Sequence, residues 1–410
     1  MKKQNCFVLL VVDEFIINNF IFKEIVHQNY ICEKSTRFAY QQKIKLSINN
    51  HMKKLCVIFG GESSEHDISI ITGMQLAKNF YTQDLEKIYF GLDNKFYLAT
   101  KIEDLEFFEN KENIKLPEVI FYSGAVYKKG ITLKKLFDVK CVINCCHGGA
   151  GENGNLAGMF ETAKIRFTSA GSLASHIAMD KNLTKELVKD IVPTVKGVKV
   201  TKSNYDEITK QIDESFSFDL IVKPNSLGSS IGVKACNIET YKQQIEAIFE
   251  MGDDALVEER VVEIEEYNQA CFRSKDGLVL SAIEHPISKH EFLTFEDKYK
   301  TKSKTKGSDR EIPANISPEL EEPIIDFTSK IYEKLNMNGV VRIDYIYNKK
   351  NNTLYFNEIN TIPGSMAFYL YEPLGIDYIT LVENLINNAE DTKKFAYFNT
   401  QILKGKKIGS

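Results

Sequence analysis

From residue 52 onward the chain alternates between two periods. LCVIFG (55–60), KIYFGL (87–92), FYLAT (96–100) and VKCVINCC (139–146) are short apolar runs rich in β-branched and aromatic residues, which predicts strands. Between them, DISIITGMQLAKNFY (67–81) and GNLAGMFETAKI (154–165) bring apolar residues back every three or four positions, which predicts helices. Strands alternating with helices imply an α/β unit with a mostly parallel, Rossmann-like sheet over residues 52–172. SLASHIAMDKNLTKELVKDI (172–191) then reads as one long helix. FDLIVKP (218–224) and ALVEE (255–259) read as strands framing a middle unit, 173–255. A third unit, 256–400, holds long strands, a charged loop and a last helix, YITLVENLINNAE (378–390), before a tail, 401–410.

The first 51 residues break this pattern. MKKQNCFVLLVVDEF imitates an export signal, but its apolar run is short, ends at Asp13 and Glu14, and precedes no small-residue cleavage site. A second start-like stretch, MKKLCVIFGG, begins at Met52. Residues 1–51 are therefore expected to be an extension without a functional role. No run approaches the roughly 18 apolar residues of a membrane span. A net charge of -4 gives no basic field for nucleic acid. The eight cysteines are scattered without a CxxC pair, which predicts free thiols in core strands of a cytoplasmic protein.

Chemistry enters with VVRIDYIY (340–347), NKKNN and TLYFNEIN (353–360), two strand patterns around a polar turn. A hairpin centred near Asn351 sets Arg342 opposite Asn360 and Asp344 opposite Glu358. Alternation puts these four on one face, and Val341, Ile343, Tyr355 and Ile359 on the other. Two carboxylates and an amide there suit a hard cation such as Mg²⁺. A solvated face with a cross-strand arginine–carboxylate pair fits equally.

Four further stretches each carry two readings. IVKPNSLGSSIGV (221–233) ends a strand at Lys223, then offers small residues whose backbone N–H groups can approach an anion; an ordinary loop is the alternative. HGGAGENG (147–154) satisfies GxGxxG through Gly149, Gly151 and Gly154, so a dinucleotide fold is a second reading. The acidic residue expected about 20 positions later is missing. His147 is a candidate substrate contact or a helix cap. GGESSEHDIS (60–69) puts Glu65 either in an ordinary acidic first turn or at a sheet edge facing a ligand. FEDKYKTKSKTKGSDREIPA (295–314), with five alternating lysines, is a solvated loop or a mobile lid over an anion.

Their order carries more than any one of them. A glycine turn with Glu65, HGxxGExG, MDK, VKPxxxGSS, KY, RxD and NExNTxPG together resemble the D-alanine–D-alanine ligase family of the ATP-grasp fold, from about Met52 to residue 400. The resemblance implies ATP between the middle and last units. Lys181, Lys223, Ser229 and Ser230 would meet its phosphates. Glu258 and the backbone of Val261 would meet adenine, and Glu266 the ribose. Asp344, Glu358 and Asn360 would hold Mg²⁺, with Mn²⁺ as the alternative. Glu65, linked to Ser229 and Tyr299, would anchor the first D-alanine. Arg342 and the Gly364 N–H would face the oxyanion, and His147, Lys298, Tyr369 and Leu370 the substrates.

The implied product is D-alanyl-D-alanine for peptidoglycan, made by a homodimer. D-lactate or D-serine as acceptor is the alternative. Tyr369 stands before Leu370 where the family commonly has serine, Asn153 replaces an aspartate, and Leu227 and Glu263 replace a polar residue and a glycine.

Overall fold

The computed structural model describes residues 53–80, 82, 84–109, 115–217, 219–287 and 310–389. The extension, the tail and the lid segment with Lys298 and Tyr299 lie outside the described residues.

The first unit opens with strand β1 (Lys54–Gly60), helix α1 (His66–Asn79) and strand β2 (Leu85–Phe90). Six of the seven β1 residues are buried, as expected of a strand with parallel neighbours and both faces covered. Strands β3 (Phe96–Leu98), β4 (Glu118–Tyr122), β5 (Ala125–Lys128) and β6 (Lys134–Asn144) follow. Among the described strands of this ring β1 pairs in parallel with β2 and β6, and the remaining strand pairs are antiparallel; Val142 of β6 adds an isolated parallel bridge to Phe167. The expected parallel sheet is thus confined to three strands. The short connections explain the remainder. Ser123 and Gly124 take φ of 46° and 80°, the left-handed pair that closes a two-residue hairpin.

Helices α2 (Gly149–Glu152), α3 (Asn155–Thr162), α4 (Ser172–Met179) and α5 (Lys181–Val188) come next. The single long helix expected over 172–191 is two. Asp180 is extended (φ -83°, ψ 99°) and its carboxylate accepts from the Leu183 N–H at 2.9 Å, capping α5. The buried stripe of α5 is Lys181, Thr184, Lys185 and Val188, so a helical period carries lysines inward.

The middle unit is an antiparallel sheet in the order β7 (Gly197–Val200), β10 (Ala255–Glu259), β8 (Asp219–Pro224), β9 (Lys234–Asn237). Helices α6 (Tyr205–Ser215) and α7 (Tyr241–Glu250) cover it through Ile212, Tyr241, Ile245 and Ile248 against Val222 and Val257. The last sheet is also antiparallel and runs β13 (Arg310–Glu311), β12 (Gly277–Pro286), β11 (Ile264–Ser274), β14 (Val341–Asn348), β15 (Thr353–Asn360). Val341, Ile343, Tyr345, Phe356 and Ile359 pack on Ile324, Ile331 and Tyr332 of helix α8 (Pro318–Lys334), and on Ala174 and Ala178. The last helix, α9 (Tyr378–Asn388), packs Leu381, Val382 and Leu385 in one cluster with Val57 and Phe59 of β1.

The hairpin register matches expectation at Arg342↔Asn360 and Asp344↔Glu358, then slips. Tyr345 pairs with Phe356, which leaves Asn357 as the extra residue of a bulge. Past the bulge the faces exchange. Phe356 fills the core, and Tyr355, expected there, instead pairs with Ile346 on the opposite face.

Candidate active site

The cleft is lined from the middle sheet by Ile221, Lys223, Glu258 and Glu259, and from the last sheet by Glu266, Asp344, Ile346, Asn357 and Glu358. Lys181, Ser230 and Val261 also line it. Among the expected ATP contacts only Ser229 is not part of this lining; it turns to Glu65.

One wall is cationic. The Glu258 carboxylate lies between the ammonium groups of Lys185 and Lys223, the latter at 2.7 Å. All three are more than 90% buried. Burial disfavours the charged carboxylate, but Lys185 and Lys223 outweigh it and hold Glu258 down at about 2. Burial also pushes Lys185 down to about 8, against the pull of Glu258. Two cations sharing one anion leave a net positive wall. Lys223 also donates to Asn357 Oδ1 at 3.3 Å. Lys181 donates to the Leu227 carbonyl at 2.7 Å and lies 3.5 Å from Glu358. The Glu258 carboxylate, expected beside adenine, is therefore engaged by two lysines.

The facing wall is acidic. Pairing across the sheet sets Glu284, Asn268, Asp344 and Glu358 in one transverse row on β12, β11, β14 and β15. Arg342 grips Asp344 through Nε at 2.7 Å and Nη2 at 2.8 Å. Asn360 Nδ2 donates to the same carboxylate at 3.0 Å, which leaves its Oδ1 as an oxygen donor. Among the described residues no group of three or more His, Cys, Asp and Glu is arranged to hold a metal. The candidate set is two carboxylates and an amide. These hard oxygen donors fit Mg²⁺ with an incomplete shell, finished by water and phosphate oxygens.

At the sheet end of the first unit, Glu65 precedes α1 but makes no capping bond. Its carboxylate instead accepts from the Ser229 hydroxyl. Ser63 takes the local role, accepting from the Glu65 N–H at 3.2 Å and donating to the His147 carbonyl at 2.8 Å. Both ring nitrogens of His147 have partners within the protein. One ring nitrogen meets the Ile362 carbonyl at 2.7 Å and the other Thr72 Oγ1 at 2.9 Å. Burial lowers its pKa, opposed by Glu65. Gly149 has φ 46°, and a Cβ there would come within 2.3 Å of the Glu62 carbonyl. Gly148 and Gly149 thus seat this turn against the Glu65 turn, while Gly151 packs on Cys146 and Gly154 on Ser172 and His176.

After Gly364 the chain turns left-handed: Ser365, Met366 and Ala367 have φ of 50°, 57° and 51°. A Cβ at Gly364 would meet nothing within 4 Å, so its surroundings are open. Leu370 is fully buried among core residues, so only its main chain can face a substrate. Tyr369 turns the other way, its hydroxyl 3.3 Å from Glu284.

Sequence reasoning missed Lys185, Asn357, Glu152 and Glu284. Lys185 had a signal, since it follows Lys181 by one helical turn. Glu152 accepts from the Gly148 and Ile362 N–H groups, each at 3.0 Å, and burial together with Glu65 raises its pKa to about 8. Asn357 reaches the cleft only because of the bulge, which no alternation reveals.

Two sheets clasping a cleft with a cationic and an acidic wall define an ATP-grasp enzyme. Family models for the D-ala D-ala ligase N-terminus and C-terminus match residues 54–170 and 189–387. The D-alanine–D-alanine ligase of Helicobacter acinonychis is 34% identical over 357 residues, covering 86% of this chain and 99% of that protein. The one from Campylobacter jejuni subsp. doylei is 35% identical over 334 residues, covering 81% and 93%. The crystal structure of the Helicobacter pylori D-Ala-D-Ala ligase superposes with a TM-score of 0.69 at 30% identity, over 83% of this chain and 100% of that one. The VanG D-Ala:D-Ser ligase of Enterococcus faecalis gives 0.70 at 26%, over 82% and 99%. The chain belongs to the D-alanine–D-alanine ligase family.

Proposed function

We propose that the chain joins two D-alanine molecules, using ATP, into D-alanyl-D-alanine for peptidoglycan. The observation that carries this is the row Asp344–Glu358 with Asn360 and Arg342, set across one cleft from Lys181 and Lys223. ATP would phosphorylate the carboxylate of the first D-alanine. The amine of the second then attacks the acyl carbon, a C–N bond forms, and the C–O bond to phosphate breaks. Such chemistry asks for positioning and charge neutralisation more than for covalent help.

In this reading Lys181, Lys223 and the Ser229–Ser230 loop hold the phosphates. Val261 and Glu266 hold the nucleoside, while Glu258 keeps the two buried lysines in place. Asp344, Glu358 and Asn360 would hold Mg²⁺, or Mn²⁺ in its place, which neutralises phosphate charge when bound. Glu65 takes the first ammonium, with Ser229 fixing its carboxylate and Tyr299 joining them. Arg342 and the Gly364 N–H meet the tetrahedral oxyanion. Lys298 and Tyr369 serve the second substrate. We place the enzyme in the cytoplasm, where its buried free cysteines stay reduced, as a homodimer.

The test is ADP release with D-alanine and Mg²⁺, read beside dipeptide formation. Turnover requiring D-alanine supports the reading. Strong preference for a mixed product when D-serine or D-lactate is added would replace the acceptor. ATP binding without ADP release under any of these conditions would sink the ligase itself.

A further inference from the structure

The acidic row does not stop at the metal candidates. Its far end is Glu284, buried, and bracketed by three donors. Asn268 Nδ2 lies 3.1 Å and the Tyr369 hydroxyl 3.3 Å from Oε2; Arg310 Nη1 lies 3.1 Å from Oε1. The Arg310 guanidinium also sits 4.9 Å from the centre of the Tyr369 ring. The carboxylate and the phenol ring together restrain where this guanidinium sits. Its side chain is nonetheless half exposed. Tyr369 is also close enough to Arg342 and Asp344 for their charges to act on it. The unit therefore adjoins the reacting end of the cleft, on the side away from Lys181 and Lys223.

We infer that Arg310 is the carboxylate receptor for the second amino acid, with Glu284 and Tyr369 as the positioning residues that aim it. This rests on the ligase reading and deepens it. The incoming molecule is a zwitterion whose amine must reach the acyl carbon beside Arg342. Its carboxylate must then point away from the phosphates, which repel it. Arginine matches a planar carboxylate through two parallel N–H donors, while Glu284 engages another edge of the same group. A serine where Tyr369 stands would leave Arg310 without its stacking face. The unit thus supplies by charge what a hydroxyl at that position would supply by a neutral bond.

The experiment is a partition. Full-length enzyme, ATP, Mg²⁺ and an equal mixture of D-alanine and D-alaninamide give two products, separated by mass. The amide lacks the charge that Arg310 reads. Wild type should favour D-alanyl-D-alanine, and R310Q should shift the product ratio toward the amide by about 10- to 100-fold, the worth of a hydrogen bond to a charged group. R310K, which keeps the charge but not the fork, should fall between, and E284Q should shift the ratio in the same direction by less. The ratio is internal to each preparation, so partial misfolding does not change it; should R310Q fail to fold, R310K reads the same quantity. An unchanged ratio in R310Q, or in R310K if that must serve, overturns the assignment of Arg310. A wild type that makes neither product rejects the ligase reading and this inference with it.

Discussion

The proposed phosphate end and the proposed acceptor end are charged by different means. At the first, Lys185, Lys223 and Glu258 are all buried and neutralise one another to a single net charge. At the second, Arg310 is half exposed and leans on one buried carboxylate, Glu284, and one ring. Breaking a buried pair strands a charge in a dry interior, whereas a half-exposed cation falls back on water. The phosphate end should therefore couple to folding more tightly than the acceptor end, where the buried Glu284 keeps its Asn268 and Tyr369 donors if Arg310 is lost.

The strongest way to break this contrast is Glu258→Gln. It leaves two buried lysines facing each other and should cost about 3–5 kcal/mol of stability. The pH dependence has a definite sign. A carboxyl at about 2 in the fold, against an ordinary 4.5, lends stability above that ordinary value and loses it as pH falls toward 2. Urea unfolding between pH 2 and 5 should show a steep acid limb in wild type and a flatter one in the variant. Identical limbs would mean that the triad does not couple to folding.

Arg342→Ala comes next. Turnover should drop by about 10²–10³, with ATP affinity within a few-fold. Because Arg342 grips Asp344 through two bonds, the rival outcome is concrete. Parallel losses of nucleotide affinity and turnover would make it a support for the acidic row rather than an oxyanion donor. Tyr369→Phe should do far less. A single bond at 3.3 Å is worth about 1 kcal/mol, so the KM for the second D-alanine should rise about fivefold and that for the first stay put. Equal changes in both would erase the division between the two ends. The smallest effect is expected from a chain that begins at Met52, which should match the full chain in melting temperature and turnover. Insoluble or inactive protein would give residues 1–51 a role.

Local rules reached far into this fold and stopped at identifiable places. Alternation placed Arg342, Asp344, Glu358 and Asn360 on one face because they lie on the near side of the bulge. It misplaced Tyr355 because that residue lies beyond it. Helical period ran straight through Asp180, since one capping carboxylate can break a helix without disturbing its apolar spacing. The parallel expectation failed wherever a two-residue turn forced an antiparallel return, as at Ser123 and Gly124. Glu65 illustrates the converse. Its position before α1 suggested an ordinary first-turn acid, and only the tertiary approach of Ser229, 164 residues away, gives its carboxylate another partner.

The transverse row from Glu284 to Glu358 has a metrical consequence. Neighbouring strands lie about 4.8 Å apart whatever their sequence, so four strands fix a span of roughly 14 Å between its ends. Side chains can trim that length, but only adding or removing a strand could redraw it. A sheet laid crosswise beneath its substrates is in effect a ruler with backbone graduations. The span from Glu358 to Glu284 is thus set by the backbone, and only what stands at the last mark is left to the side chains.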